Sequence, residues 1–363
     1  MTDHSNLPIS STPRTTMVGG GSYDQSARHQ RTAVALALPL LARAAERVPL
    51  PEAGAPFVFV DYGSATGFNT FAPARQILSA VRRRAGTSVP VCVVHNDQAD
   101  NDFAALFKLV AASPESYAQD ATVFPFAVGR SFYGPVVPAG FASLGWSANA
   151  VHWLSVTPHA VPGGLMFRRP DGCSDTPFSR HAHEDWTRFL AARAAELRRG
   201  GELVIVMVEA DEAGCSGADH FLDVLTGVLV DAVGAGMLRG EEVARMVVPL
   251  YFRTEREVRL PFAAKELHGR LVLVEYEHAI LNDPLWASFE QTGNNAAFAL
   301  AHVAWLRGYS ENVLFSVLDA DRRPEQRGAI AESIYDEVRK RVESRPSDAR
   351  CSWRLALLRV ARC

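Results

Sequence analysis

The stretch "FVFVDYGSATGFNT" (57–70) holds the first residues able to do chemistry. An apolar, β-branched run ends in Asp61, and a loop with Gly63 and Gly67 follows. A buried strand that ends on an acid and feeds a glycine turn into a helix is how α/β sheets hold nucleotide-like cofactors at their carboxyl edge. A pyrophosphate asks for G-x-G-x-x-G, whose amides and helix dipole receive an anion. Here the spacing is G-x-x-x-G, Phe68 and Asn69 come next, and an acid sits before the turn. Such a loop receives a cation better than an anion. S-adenosylmethionine has a positive sulfonium and an ammonium and no phosphate. Asp61 would face the ammonium, and Asp97, ending the second apolar run, would accept from the ribose hydroxyls. From the loop alone, methyl transfer, a nicotinamide enzyme and no cofactor all stay open. In the last case Asp61 is a helix N-cap and Asp97 a turn residue or N-cap.

The elements that must position these residues follow from periodicity. Strands are expected at Phe57–Val60, "VPVCVVHND", "TVFPFAV", "ANAVHWLSV", "ELVIVMVEA" and "RLVLVEYEHAI". Helices are expected from Ser26, over Phe68–Arg84, after Asn101 with Phe103, Leu106, Phe107 and Val110 on one face, and over His183–Arg199. Alternation of strand and helix predicts a parallel sheet covered on both faces. Helical stretches over Asp219–Val233 and Asn294–Val342 lack partner strands and read as a cap over one edge. The expected organisation is a tail (1–16), a Rossmann-like core (17–157 and 200–275), a helical cap (158–199 and 276–345) and a C-terminal segment (346–363).

Composition excludes several classes. The 363 residues carry a net charge of -3, which argues against a nucleic-acid binder. Five cysteines without close pairing point to a reducing, cytoplasmic setting. No apolar run is long enough for a membrane span, and the Ser/Thr/Pro-rich start lacks the apolar stretch of a signal peptide. His181 and His183 make an H-x-H, but the helix following them would aim the rings apart, so no metal site is expected.

Four blocks together, "MVGGGSYDQSARHQ", "VDYGSATGFNT", "HNDQADNDFAALFKLV" and "GRSFYGPVVPAGFASLGWSANAVHWLSVTP", resemble the motifs of the salicylate, benzoate and theobromine (SABATH) carboxyl methyltransferases, in order and spacing over residues 17 to 158. The Ala- and Arg-heavy composition suggests a bacterial-type member. The resemblance implies a Rossmann-like α/β methyltransferase sheet with an α-helical cap, S-adenosylmethionine as cofactor, a small carboxylic acid as substrate, and a homodimer. It implies cofactor contacts at Tyr23, Asp61, Gly63, Asn69, Asp97, Gln98, Ser131 and Phe132, with the Phe132 ring on the adenine. Gln30 and Trp153 match the residues that hold the substrate carboxylate. Tyr23, Trp146, Asn149 and His152 are further expected around the substrate. The chain departs from the pattern at Ser26-Ala27, where the family has Asn-Ser, at Asn149, where it has an aromatic residue, and at Gln98, where it has leucine.

The expected reaction is O-methylation of a small hydrophobic acid, aromatic or fatty, without a general base, because a carboxylate is already an anion at neutral pH. N-methylation of a purine-like heterocycle and a non-catalytic homologue that keeps the fold are the alternatives. On a strand His152 and Trp153 would face opposite sides, so only a local irregularity would let both reach a ligand. Trp305, in "FALAHVAWLRGYS", reads mostly as helix core.

Overall fold

The computed structural model describes residues 27–169, 175–265 and 267–363. In chain order the elements are α1 (Arg28–Arg47), β1 (Phe57–Tyr62), α2 (Phe71–Ala85), β2 (Val91–Asp97), α3 (Phe103–Ala112), β3 (Val123–Gly129), β4 (Ala142–Ala148), α4 (Pro177–Glu196), β5 (Leu197–Ala210), α5 (Asp223–Gly234), α6 (Gly240–Arg245), β6 (Arg253–Thr254), α7 (Glu255–Arg259), β7 (Leu271–Leu281), α8 (Pro284–Thr292), α9 (Asn295–Phe315), α10 (Pro324–Ser344) and β8 (Trp353–Arg362).

The sheet runs β3-β2-β1-β4-β5-β8-β7, with β6 paired to the end of β5. Strands β1 to β5 are parallel, as expected from their continuous apolar runs. The departure from an all-parallel sheet is β8, antiparallel to both β5 and β7. Residues 346–363 therefore contribute an interior strand and not a separate segment. "WRLALLRV" is buried throughout all but one position because both neighbours and both faces cover it.

Two apolar layers sandwich the sheet. On one side α1 and α2 pack on Phe57, Phe59, Val91 and Val93, and this core runs on into α5, α9 and α10. On the other side Trp186, Phe189 and Leu190 of α4 cover Val58, Val60, Leu203 and Ile205. Helix α4, expected in the cap, is thus a sheet helix. It starts at Pro177, earlier than His183, because Thr176 and Ser179 form a capping box with proline at the first turn. The Asn294–Val342 stretch is two helices, α9 and α10, broken at 316–323. Phe107, expected on the apolar face of α3, is exposed, whereas Leu106 and Val110 are buried.

The fourth strand differs most from expectation. It is Ala142–Ala148, and "ANAVHWLSV" contributes only its first residue. Asn149 takes a left-handed φ of 57° and ends the strand. Residues 150–154 then form a turn, with Trp153 N–H donating to Ala150 O, Leu154 N–H to Pro249 O, and Tyr251 N–H to His152 O.

Candidate functional site

Strand order reverses between β1 and β4, and in open α/β sheets the ligand crevice lies at that switch, beyond the carboxyl ends. Two adjoining hollows occupy it. The first has about 820 Å³ of open space and is lined by the β1 loop (Asp61, Gly63, Ser64, Ala65, Asn69), the end of β2 (Asp97, Gln98), Phe132 and Tyr133, Trp146, and the turn after β4. The second, about 490 Å³, is lined mostly by apolar and aromatic side chains, among them Leu250, Phe221, Trp305, Tyr309 and Trp353. Gln30, Asn149 and Trp153 line both.

The loop after β1 is built from its backbone outward. Gly63 and Ser64 N–H both donate to Asn96 O at 2.9 Å. Ala65, at a φ of 48°, donates its N–H to Asp97 Oδ2 at 2.7 Å, and its carbonyl accepts from Asn101 Nδ2 at 2.8 Å. Gly63 has a φ of 89°, and a Cβ there would lie 2.4 Å from Ala150 Cβ. Only glycine lets the loops after β1 and β4 approach this closely. Asn96 Nδ2 donates to Val128 O and Arg130 O, and the buried Arg193 donates to Phe132 O (2.8 Å) and Gly134 O (2.9 Å). These bonds fix the segment that carries the Phe132 ring.

Asp61 and Asp97 face the first hollow at the sheet end, Asp61 buried and Asp97 half-buried. Asp61 Oδ2 accepts from the Thr70 hydroxyl, and no cation among the described residues is paired with it. It is no helix cap. Burial pushes its carboxyl up to about 7 against the lowering effect of Thr70, with the Asp97 charge adding to the rise. Burial also raises Asp97, although the amides of Gln98 and Ala65 oppose it. Nearby His95 supplies no positive charge, because burial lowers it to about 3. Two acids without a counterion among the described residues suit a cationic ligand.

A methyl donor of the S-adenosylmethionine type fits what is present. Ser64 Oγ and Asn69 Oδ1 in the first hollow, and Gln30 Oε1 and Asn149 Oδ1 where the hollows meet, are buried polar atoms without a partner among the described residues. Asp61, Asn69, Asp97, Gln98 and Phe132 are the residues that would hold it.

Most expected site residues converge. Gln30, on the first turn of α1, and Trp153, on the turn after β4, come together at the junction, although 123 positions separate them in the chain. Three expectations are corrected. Ser131 lines neither hollow; its hydroxyl closes a turn by accepting from Tyr133 N–H at 3.3 Å. Trp146 sits on β4 against the first hollow and not the substrate side, because β4 ends at residue 148 and its side chains there face the donor space. His152 and Trp153 do not point to opposite faces: the left-handed Asn149 breaks the strand, and both line the second hollow. Tyr23 lies outside the described residues.

Several residues were not foreseen. Thr70, Tyr133 and Ala150 are local to quoted motifs and could have been read from them. Phe221, Trp353 and Tyr309 could not, since they reach the second hollow from the segment before α5, from β8 and from α9. Trp305, read as helix core, is buried yet part of that hollow's wall.

A family model described as SAM-dependent carboxyl methyltransferase matches residues 13–277. Methyltransferase LUC1 of Fusarium sp is 32% identical over 249 residues, 67% of this chain and 65% of that protein. The chain thus aligns with slightly under two thirds of that relative's length. Gibberellic acid methyltransferase 2 of Arabidopsis thaliana is 26% identical over 65% of this chain and 67% of its own. The solved structure of a loganic acid methyltransferase with S-adenosylhomocysteine superposes with a TM-score of 0.76 at 21% identity, covering 95% of this chain and 98% of the other, which establishes a shared fold. These relatives are fungal and plant proteins, so the bacterial reading of the composition finds no support in them. With the family model spanning most of the chain and the donor hollow in place, this chain belongs to the SAM-dependent carboxyl methyltransferases of the SABATH type.

Proposed function

We propose that this chain moves the methyl group of S-adenosylmethionine to the carboxylate of a small hydrophobic acid, aromatic or fatty, and releases the methyl ester. The observation that supports this most is the shared wall: Gln30 and Trp153 stand between a donor hollow with two acids and an apolar hollow. A substrate acid has a pKa near ~4 in water and needs no base, so the task is placement, which can be worth about 7–11 kcal/mol. Among the described residues, neither hollow is lined by lysine or arginine. A guanidinium or ammonium would stabilise the anion before reaction, whereas the Gln30 amide and Trp153 indole N–H orient its oxygens and quench it less. His152 takes no proton: burial lowers it to about 3, and its Nδ1 accepts from Val208 N–H at 3.3 Å. S-adenosylmethionine, held by Asp61, Asn69, Asp97, Gln98 and Phe132, would supply a methyl on positive sulfur, toward which Gln30 and Trp153 would orient the acceptor oxygen.

Gln30→Ala and Trp153→Phe should each lower kcat/KM for ester formation roughly 10–100-fold, the cost of a lost oriented hydrogen bond, with a much smaller effect on S-adenosylhomocysteine affinity. Unchanged kinetics in both variants rule out the clamp. A base-stable N-methyl product would mean a purine-like heterocycle is the acceptor, and absence of transfer to any acid would mean a non-catalytic homologue. The family likeness also supports a homodimer of the 39.5 kDa chain, which light scattering would weigh directly.

A further inference from the structure

The apolar hollow is not purely apolar. Trp305 and Tyr309 lie one helical turn apart on α9, with ring centroids 5.3 Å from each other and each 5.7 Å from the Phe221 ring. Both are buried, and neither Trp305 Nε1 nor the Tyr309 hydroxyl has a hydrogen-bond partner among the described residues. Buried polar groups are rarely left without a hydrogen-bond partner. His152 adds a third donor to the same wall: with Nδ1 accepting from Val208 N–H, the neutral ring carries its proton on Nε2. No Lys, Arg, Asp or Glu lines this hollow among the described residues. A second ionic group entering it would lose its hydration and find no opposite charge.

From these groups we infer that the acid this site takes carries, besides its carboxylate, an uncharged oxygen acceptor, a carbonyl, hydroxyl or ether, and no second charge. The inference rests on the carboxyl-methylation reading above and narrows its substrate class. Tyr309 and Trp153 are edge-to-face neighbours on that wall, with ring centroids 6.5 Å apart, so a molecule held at Trp153 by its carboxylate lies beside Tyr309. An oxygen there would accept from the phenol or the indole N–H, and an unadorned hydrocarbon would leave both unmade.

The test compares decanoic acid with its mono-oxo and mono-hydroxy derivatives, the oxygen stepped carbon by carbon along the chain, and with decanedioic acid, scoring methyl esters by mass spectrometry. The expected result is one favoured oxygen position, with kcat/KM roughly 10–100-fold above the parent acid, and a diacid poorer than the parent. In Tyr309→Phe or Trp305→Phe that ratio should fall toward one. A ratio taken within each variant does not depend on how much of it is folded. Equal esterification of parent and oxygenated acids, or a preference that survives both substitutions, overturns the inference and leaves carboxyl methylation standing. Failure to esterify any acid would instead remove the reading beneath it, and this inference with it.

Discussion

Asp61 is displaced far from an ordinary aspartate. Its carboxyl is pushed up to about 7, because burial removes water and Asp97 adds like charge. In the free protein it holds a proton below that pH, and a bound cation favours its ionised form. Donor binding near pH ~6 should therefore release a proton, and affinity should climb as pH rises toward about 7 and then level off. Calorimetry in two buffers of different ionisation enthalpy reads this directly; no proton release would mean Asp61 does not meet the cation. The same rise makes the unliganded fold less stable as pH climbs from about 4 to about 7, since the unfolded chain gives up this proton first. Asp97 has two duties, facing the donor hollow and accepting the Ala65 and Gln98 amides. Asp97→Ala should remove most donor affinity and also lower thermal stability by about 1–3 kcal/mol. Normal binding by that variant would take Asp97 out of the donor site.

At the scale of elements, the site depends on two loops lying against each other and on one buried ion pair behind them. Gly63→Ala brings a methyl to within 2.4 Å of Ala150 Cβ, whereas Gly54, with a similar φ of 85°, has nothing within 4 Å. Both changes carry left-handed strain of about 1 kcal/mol. Only Gly63→Ala should also weaken donor binding, and equal effects in the pair would show that the close approach is unimportant. Behind Phe132, Arg193 is fully buried, pairs with Glu196 at 2.8 Å and stacks over Tyr62 with its guanidinium 4.0 Å from the ring centroid. Arg193→Met leaves Glu196 buried and unpaired, at a cost of about 3–5 kcal/mol. Arg193→Met with Glu196→Gln should recover part of the lost melting temperature, because the orphaned charge is gone.

Across the whole molecule, the ends of the fold meet at the second hollow. Strand β8 runs against its neighbours, so its first residue, Trp353, arrives at the edge where the other strands finish. Its ring lies 5.1 Å from that of His29, whose Nε2 is 3.0 Å from Asp283 Oδ1, and His29 adjoins Gln30. A chain truncated at residue 352 loses the strand between β5 and β7 as well as this wall. It should show no cooperative thermal transition, because both flanking strands would expose a full edge. Retention of a native-like transition would mean β8 is dispensable to the core. No helix among the described residues is long and apolar enough to cross a membrane.

Read by itself, the sequence determined the alternation that makes the parallel half of the sheet, the acids at the ends of β1 and β2, and the glycine loop. All of these are local, written in periods of two and 3.6 residues or in short motifs. The tertiary structure alone decided that β8 enters the sheet reversed, that Asn149 ends β4 before His152 and Trp153, and that α9 turns Trp305 and Tyr309 toward the crevice. Each depends on contacts between residues far apart in the chain. A left-handed backbone at an asparagine, or a strand's direction, leaves no periodic trace from which it could be read.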